Sequence, residues 1–160
     1  MSSSSKIALI TGAGSGIGRA CALGLLKEGW TVALLGRRID TLQATAAMAG
    51  DAAARTLPLA CDVGQEDQVA AAFAAVRQRF GRLDLLFNNA GMGLPVATPD
   101  AISGADWRRV VDANLNGSFY CLSQAFKLMK NQTPVGGRII NNGSISAYAP
   151  RPGSIAYTAT

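Results

Sequence analysis

The chain of 160 residues contains no histidine, and that absence closes off much of the chemistry open to a globular domain. Within this stretch there is no Ser-His-Asp triad, no Cys-His pair and no imidazole-ligated zinc, so no metal site is expected. No run approaches the ~18 consecutive apolar residues of a membrane-spanning helix, and Met1 to Ser5 is a polar start without the apolar core of a secretion signal. No membrane association is expected, and the protein reads as cytoplasmic. Three cysteines, Cys21, Cys61 and Cys121, are too few and too far apart for a disulfide framework, and they read as small core residues. Without a signal peptide, the sequons at Asn116, Asn131 and Asn142 read as coincidental matches. Acidic residues are the scarcer charge, giving a net charge of +5. The basic residues are nevertheless scattered, adjacent only at Arg37-Arg38 and Arg108-Arg109, without interleaved aromatics, so no nucleic-acid partner is expected.

What the chain does have is glycine in a particular place. Lys6 to Thr11 is a short apolar run of strand character, followed directly by Gly12-Ala-Gly14-Ser-Gly16-Ile-Gly18 and then a helical pattern. A strand feeding a glycine turn and a helix is a phosphate cradle. Glycine lets the backbone approach a pyrophosphate, and the free N–H groups and positive dipole end of the helix offset its charge. The spacing discriminates among cradles. GxGxxG would require glycine at Ile17 or Arg19, and a P-loop would require Lys-Ser/Thr after its last glycine. The pattern present is TGxxxGxG, on Thr11, Gly12, Gly16 and Gly18, with Gly14, Ser15 and Ile17 inside the loop.

Strand and helix signals alternate along the rest. Strands are predicted near 6–11, 31–36, 55–60, 83–87 and 136–142, helices near 16–28, 38–49, 65–79 and 104–130, and a further helix begins near 154. Short joins between alternating elements imply an α/β fold, a doubly wound parallel sheet covered by helices on both faces. In such sheets ligands sit outside the carboxyl ends of the strands, at the point where strand order reverses. The motifs fall at those ends.

Asn88-Asn89-Ala90-Gly91 follows the apolar Leu83 to Phe87 run, Asn114 lies in Asp112 to Gly117, and Ser144 stands thirteen positions before Tyr157. Together with the glycine loop these residues resemble the short-chain dehydrogenase/reductase family, from about Lys6 to Thr160. The resemblance implies a Rossmann-like nucleotide-binding domain and hydride transfer between a nicotinamide cofactor and an alcohol or ketone. It places Asn89, Ala90 and Gly91 beside the adenine ribose, and Asp62 with Val63 beside the adenine. Asp62 also reads as an N-cap for the 65–79 helix.

Cofactor choice is argued at the end of the second strand. An NAD site usually presents a carboxylate there, and this chain presents Gly36 followed by Arg37 and Arg38, forks suited to a 2′-phosphate. NADP is the preferred cofactor and NAD remains possible, since either arginine also reads as a solvated helix-start residue. For the chemistry, a carbonyl receiving hydride must take up a proton, and Tyr157 is the candidate donor. A phenol with pKa about 10 is a weak base at neutral pH and needs a neighbouring cation. By resemblance this is a lysine four residues on, one position past Thr160, with Ser144 bonding the substrate oxygen and Asn114 holding a water in a proton relay. Tyr120 and Tyr148 read as packing or pocket-lining residues, Ser146 and Ser154 as turn or capping residues, and Pro150 to Gly153 as a rigid loop facing the pocket.

The expectation is therefore a single dinucleotide-binding domain over 1–160, incomplete at its C-terminal edge and inactive alone, from an enzyme that is a homo-oligomer when intact. The alternative is a noncatalytic nucleotide-binding or interaction module.

Overall fold

Parity within the strands decides the architecture. In β1 (Ile7–Thr11), Ile7 and Leu9 turn to one face while Ala8 and Ile10 turn to the other, and all four are buried. In β2 (Thr31–Gly36), Ala33 and Leu35 join the first face, Val32 and Leu34 the second. Strands apolar on both sides require cover on both. The computed structural model, which describes residues 5–160 and leaves the polar start at Met1 to Ser4 outside the described residues, supplies it. Helices α1 (Gly16–Lys27) and α2 (Ile39–Ala47) bring Ala22, Leu26, Leu42 and Ala46 against the second face. Helix α3 (Glu66–Phe80) brings Val69, Phe73 and Val76 against the first. Fully buried leucines such as Leu9, Leu34 and Leu42 each contribute roughly 1.5–3 kcal/mol of apolar burial.

The sheet is wholly parallel, in the order β3-β2-β1-β4-β5, with β3 at Thr56–Ala60, β4 at Leu85–Asn88 and β5 at Arg138–Asn141. The chain steps outward through β1, β2 and β3, then returns past β1 to lay down β4 and β5. Right-handed crossovers running in opposite directions place their helices on opposite faces. The doubly wound reading holds, and the reversal lies between β1 and β4.

Two expectations change. The second helix ends at Ala47, and a 3₁₀ stretch, Gly50–Arg55, leads into β3. The Arg55 side chain pins that stretch by donating to the Leu26 carbonyl at 2.6 Å and the Trp30 carbonyl at 3.2 Å. The helix expected to run unbroken over 104–130 is instead α4 (Gly104–Val111), a π-turn at Asp112–Asn116, and α5 (Gly117–Asn131). The turn ends at Gly117, which packs so closely that a Cβ on it would stand 2.8 Å from Val63 Cγ2 and 2.9 Å from the Val63 oxygen. Local periodicity carries no sign of an approach made by a residue 54 positions away, and wide turns of this kind occur often at functional sites.

Two cysteines sit in the first-face core. Burial pushes the Cys121 thiol up to about 12, with nearby Cys61 adding to it, and burial with the Asp62 and Asp67 charges pushes Cys61 up to about 11. The folded state keeps these protons above pH about 9 while the unfolded chain loses them, so stability present below that pH falls as pH rises toward 11. A thiol neutral in one state and ionised in the other tilts stability by about 1.4 kcal/mol per pH unit. We expect denaturant midpoints of the Cys121→Ala variant to fall less steeply than wild type between these limits. Parallel slopes would remove Cys121 as the cause.

Candidate functional site

The carboxyl ends of the strands border a cleft of about 1040 Å³. Its floor is sewn at the reversal point. Thr11 is buried, its hydroxyl oxygen accepting from the Asn89 and Ala90 N–H groups, each at 2.9 Å, while Asn89 Nδ2 donates to the Thr11 carbonyl at 3.0 Å. These bonds hold the ends of β1 and β4 together. The glycine loop then rises over them. Gly12 and Gly16 have φ of +68° and +51°, which favour glycine. Gly18 packs so tightly that a Cβ would stand 2.3 Å from the Gly12 oxygen.

Behind the loop lies a clamp that sequence patterns did not indicate. Thr45 Oγ1 lies 3.0 Å from the carbonyls of both Ala13 and Thr41, which share its one proton, Arg19 Nε donates to Thr45 Oγ1 at 3.1 Å, and the second Arg19 nitrogen donates to the Gly14 carbonyl. In a trans peptide the N–H points opposite to the carbonyl. With the Ala13 and Gly14 carbonyls drawn back, the N–H groups of Gly14 and Ser15 are turned the other way. Ser15 is extended and makes no side-chain capping bond, so its hydroxyl does not occupy the first N–H groups of α1.

The adjoining wall is basic. Arg37 and Arg38 follow β2, both are exposed, and neither is in an ion pair among the described residues. Thr41 Oγ1 donates to the Arg38 carbonyl at 2.8 Å and so fixes that turn. Past β3, the Asp62 carboxylate accepts from the Gly64 N–H at 3.0 Å, and the residue that precedes α3 is Gln65. The N-cap role weighed for Asp62 is therefore wrong; its carboxylate closes a tight turn at the cleft edge. Val63 is buried behind it.

On the other side, four asparagines join β4 to β5. Asn88 Nδ2 donates to Asn141 Oδ1 and Asn142 Nδ2 donates to Asn89 Oδ1, each at 3.0 Å. Asn114 in the π-turn clamps the backbone beyond Gly91, its Oδ1 accepting from the Met92 N–H at 2.8 Å and its Nδ2 donating to the Met92 carbonyl at 3.0 Å. The same Nδ2 lies 3.0 Å from Thr160 Oγ1, which donates to the Tyr157 carbonyl at 3.1 Å. Asn114 thus anchors α6 (Ile155–Thr158), the helix that carries Tyr157. Ser144 Oγ accepts from the Ser146 N–H at 3.1 Å, which uses a lone pair and leaves the hydroxyl proton free to be donated.

The catalytic and cofactor-binding residues anticipated from the sequence line this cleft except Thr11 and Gly18, which lie buried beneath it. The π-turn and β5 bring Asn114 and Ser144 to the same space as Tyr157. Arg19, Thr41, Thr45 and Asn142 were not anticipated. Of these, only the polar pair Asn141-Asn142 closing an apolar strand carried a local signal. Two expectations fail. Tyr148 is 89% exposed and lies outside the cleft lining, and Pro150, Arg151 and Gly153 border a separate hollow of about 300 Å³ with Ile155 and Ala159. Gly153, with φ +70°, turns the loop toward Val96 and Ala97, away from the main cleft.

The sequence profile of the short chain dehydrogenase family matches residues 6–160. Among curated proteins, the 3beta-hydroxysteroid dehydrogenase of Mediterraneibacter gnavus is 40% identical over 155 residues, 97% of this chain and 55% of that protein. Among solved structures, the Brucella melitensis 3-ketoacyl-(acyl-carrier-protein) reductase complexed with NADH is 33% identical with a TM-score of 0.89, over 96% of this chain and 63% of that one. A metagenomic short-chain oxidoreductase in complex with NADP is 32% identical with a TM-score of 0.90, over 96% of this chain and 69% of that one. The chain spans a little over half the length of the curated relatives it matches.

Proposed function

The chain belongs to the short-chain dehydrogenase family, and from that premise we propose that it binds a nicotinamide dinucleotide, NADP(H) in preference to NAD(H), and exchanges a hydride between it and an alcohol or ketone. The observation that carries this reading is that one cleft gathers a glycine cradle, a basic wall, Asn114, Ser144 and Tyr157. The cradle fits the cofactor: side chains are excluded at Gly14, where a Cβ would stand 2.4 Å from Thr41 Oγ1, and at Gly18, leaving backbone N–H groups as its donors. Those of Gly14 to Gly18 would take the phosphates, Arg37 and Arg38 the 2′-phosphate, Asp62 and Val63 the adenine, and Asn89, Ala90 and Gly91 the adenine ribose. When bound, the nicotinamide supplies or accepts the hydride.

The protein's own part is proton and charge management. Tyr157 gives a proton to the carbonyl oxygen in reduction and removes it in oxidation. Ser144, its lone pair held by the Ser146 N–H, points its proton at that oxygen as charge develops. Asn114 holds the Met92 backbone and α6, and so keeps the tyrosine in place. We place residues 5–160 in one dinucleotide-binding domain, and assign the protein to the cytoplasm; among the described residues no helix is long and apolar enough to cross a membrane. Exposed Leu115, Phe119 and Phe126 along the π-turn and α5 favour a homo-oligomer.

The test is NADPH oxidation by the naturally expressed protein with a panel of ketones and 3-oxoacyl esters. Turnover is expected; tight cofactor binding with no turnover on any of them would favour a noncatalytic nucleotide-binding role. For the cofactor, Arg37→Ala should cost NADPH binding about 1.5 kcal/mol, the lower end of a charge-assisted contact because the side chain is exposed, and leave NADH binding nearly unchanged. Equal losses for both would remove the 2′-phosphate assignment.

A further inference from the structure

The sequence holds two Asn-Gly pairs, Asn116-Gly117 and Asn142-Gly143, and the fold treats them in opposite ways. An asparagine followed by glycine can cyclise spontaneously when the next backbone nitrogen is free to attack the side-chain carbonyl carbon. At the first pair it is not free. The Gly117 N–H donates to the Asp112 carbonyl, Gly117 is buried against Val63, and Asn116 Nδ2 is held by Asp112 Oδ1 at 2.8 Å. The second pair lacks those backbone restraints. Asn142 and Gly143 are both exposed, and a Cβ built on Gly143 would meet nothing within 4 Å. The bond pattern of β4 and β5 ends with the Asn142 N–H donating to the Asn88 carbonyl at 2.8 Å. The Gly143 N–H lies beyond it and has no protein acceptor among the described residues. Among the described residues the Asn142 side chain is held by a solvent-exposed bond to Asn89 Oδ1, which water can replace.

We propose that Asn142 is a spontaneous deamidation site whose conversion weakens cofactor binding. The Gly143 nitrogen bonds to Asn142 Cγ and gives up its proton, the Cγ–Nδ2 bond breaks, and ammonia leaves. One water then opens the five-membered imide at either carbonyl, giving aspartate or isoaspartate, with no change in oxidation state. The position makes the product consequential. A carboxylate oxygen replaces the amide donor opposite Asn89 Oδ1, so two acceptors face each other where a hydrogen bond tied β5 to β4. Isoaspartate also lengthens the main chain two residues before Ser144. The new charge stands in the cleft that, on the proposed function, receives an anionic dinucleotide, and the effect on binding rests on that reading.

The experiment incubates the naturally expressed protein in mildly alkaline buffer and follows it by peptide mass mapping beside titrations with NADPH. The peptide containing Asn142 should acquire the mass of an acid in place of an amide as a mixture of aspartate and isoaspartate, while that containing Asn116 stays unchanged. Gly143→Ala should slow the conversion several-fold, and Asn142→Asp should weaken NADPH binding several-fold without ageing. Comparable conversion at both pairs, or none at Asn142 while a free peptide of residues 138–147 converts, would overturn the site. Conversion that leaves NADPH affinity unchanged would overturn its effect. Failure of the fresh protein to bind either nicotinamide dinucleotide would instead count against the proposed function, and the mass readout would still decide the chemistry.

Discussion

Replacing Tyr157 with phenylalanine should lower kcat/KM for ketone reduction by about 10²- to 10⁴-fold, the range of a general acid–base contribution, with NADPH affinity close to wild type. The substitution removes one oxygen and keeps the ring. Tyr157 is half-buried on α6, and its ring approaches Gly93, where a Cβ would be 3.9 Å from Tyr157 Cδ2. Packing therefore survives in the variant and only the proton is lost. The helix bearing it is tied through Thr160 to Asn114, and Asn114 through two bonds to Met92, so phenylalanine at 157 should not release α6. Steady-state rates with a ketone, beside direct titration of NADPH, separate the two effects. A variant retaining a third or more of wild-type kcat/KM would assign the proton to another group. One that lost cofactor binding in proportion to rate would make Tyr157 a structural residue.

Gly18→Ala should be the most damaging single methyl group in the chain. Its Cβ would lie 2.3 Å from the Gly12 oxygen and 2.7 Å from Asn89 Nδ2. The first obstacle is backbone, and the second is a side chain already bonded to Thr11 and Asn142, so neither yields without displacing the glycine loop. Overpacking of this kind costs about 1–3 kcal/mol and occasionally more, which in a domain of this size lowers Tm by roughly 2–12 °C. The displaced loop would also lose its dinucleotide affinity. A matched control lies six residues on in the same helix. Gly24 is exposed in the interior of α1 with nothing within 4 Å of its Cβ position. There alanine should stabilise by up to about 1 kcal/mol through helix propensity. Thermal melts and NADPH titrations of the two variants test the argument together. If both moved in the same direction, close approach at Gly18 would not explain the glycine.

The sequence alone determined the architecture and most of the cleft lining. Strand parity, glycine spacing and the distance from Ser144 to Tyr157 are local or periodic patterns, and each is readable without knowing what lies across the fold. It did not reveal the π-turn or the close packing of Gly117 on Val63 at its end, nor that Asp62 would close its own turn instead of capping α3. Nor did it reveal what holds the site in shape. Arg19 reaches Thr45 across 26 positions, Asn142 reaches Asn89 across 53, and Asn114 reaches Thr160 across 46. Hydrogen bonds between residues so far apart leave no periodic trace, and only the packed sheet, by bringing the strand ends to one edge, decides which polar side chains meet.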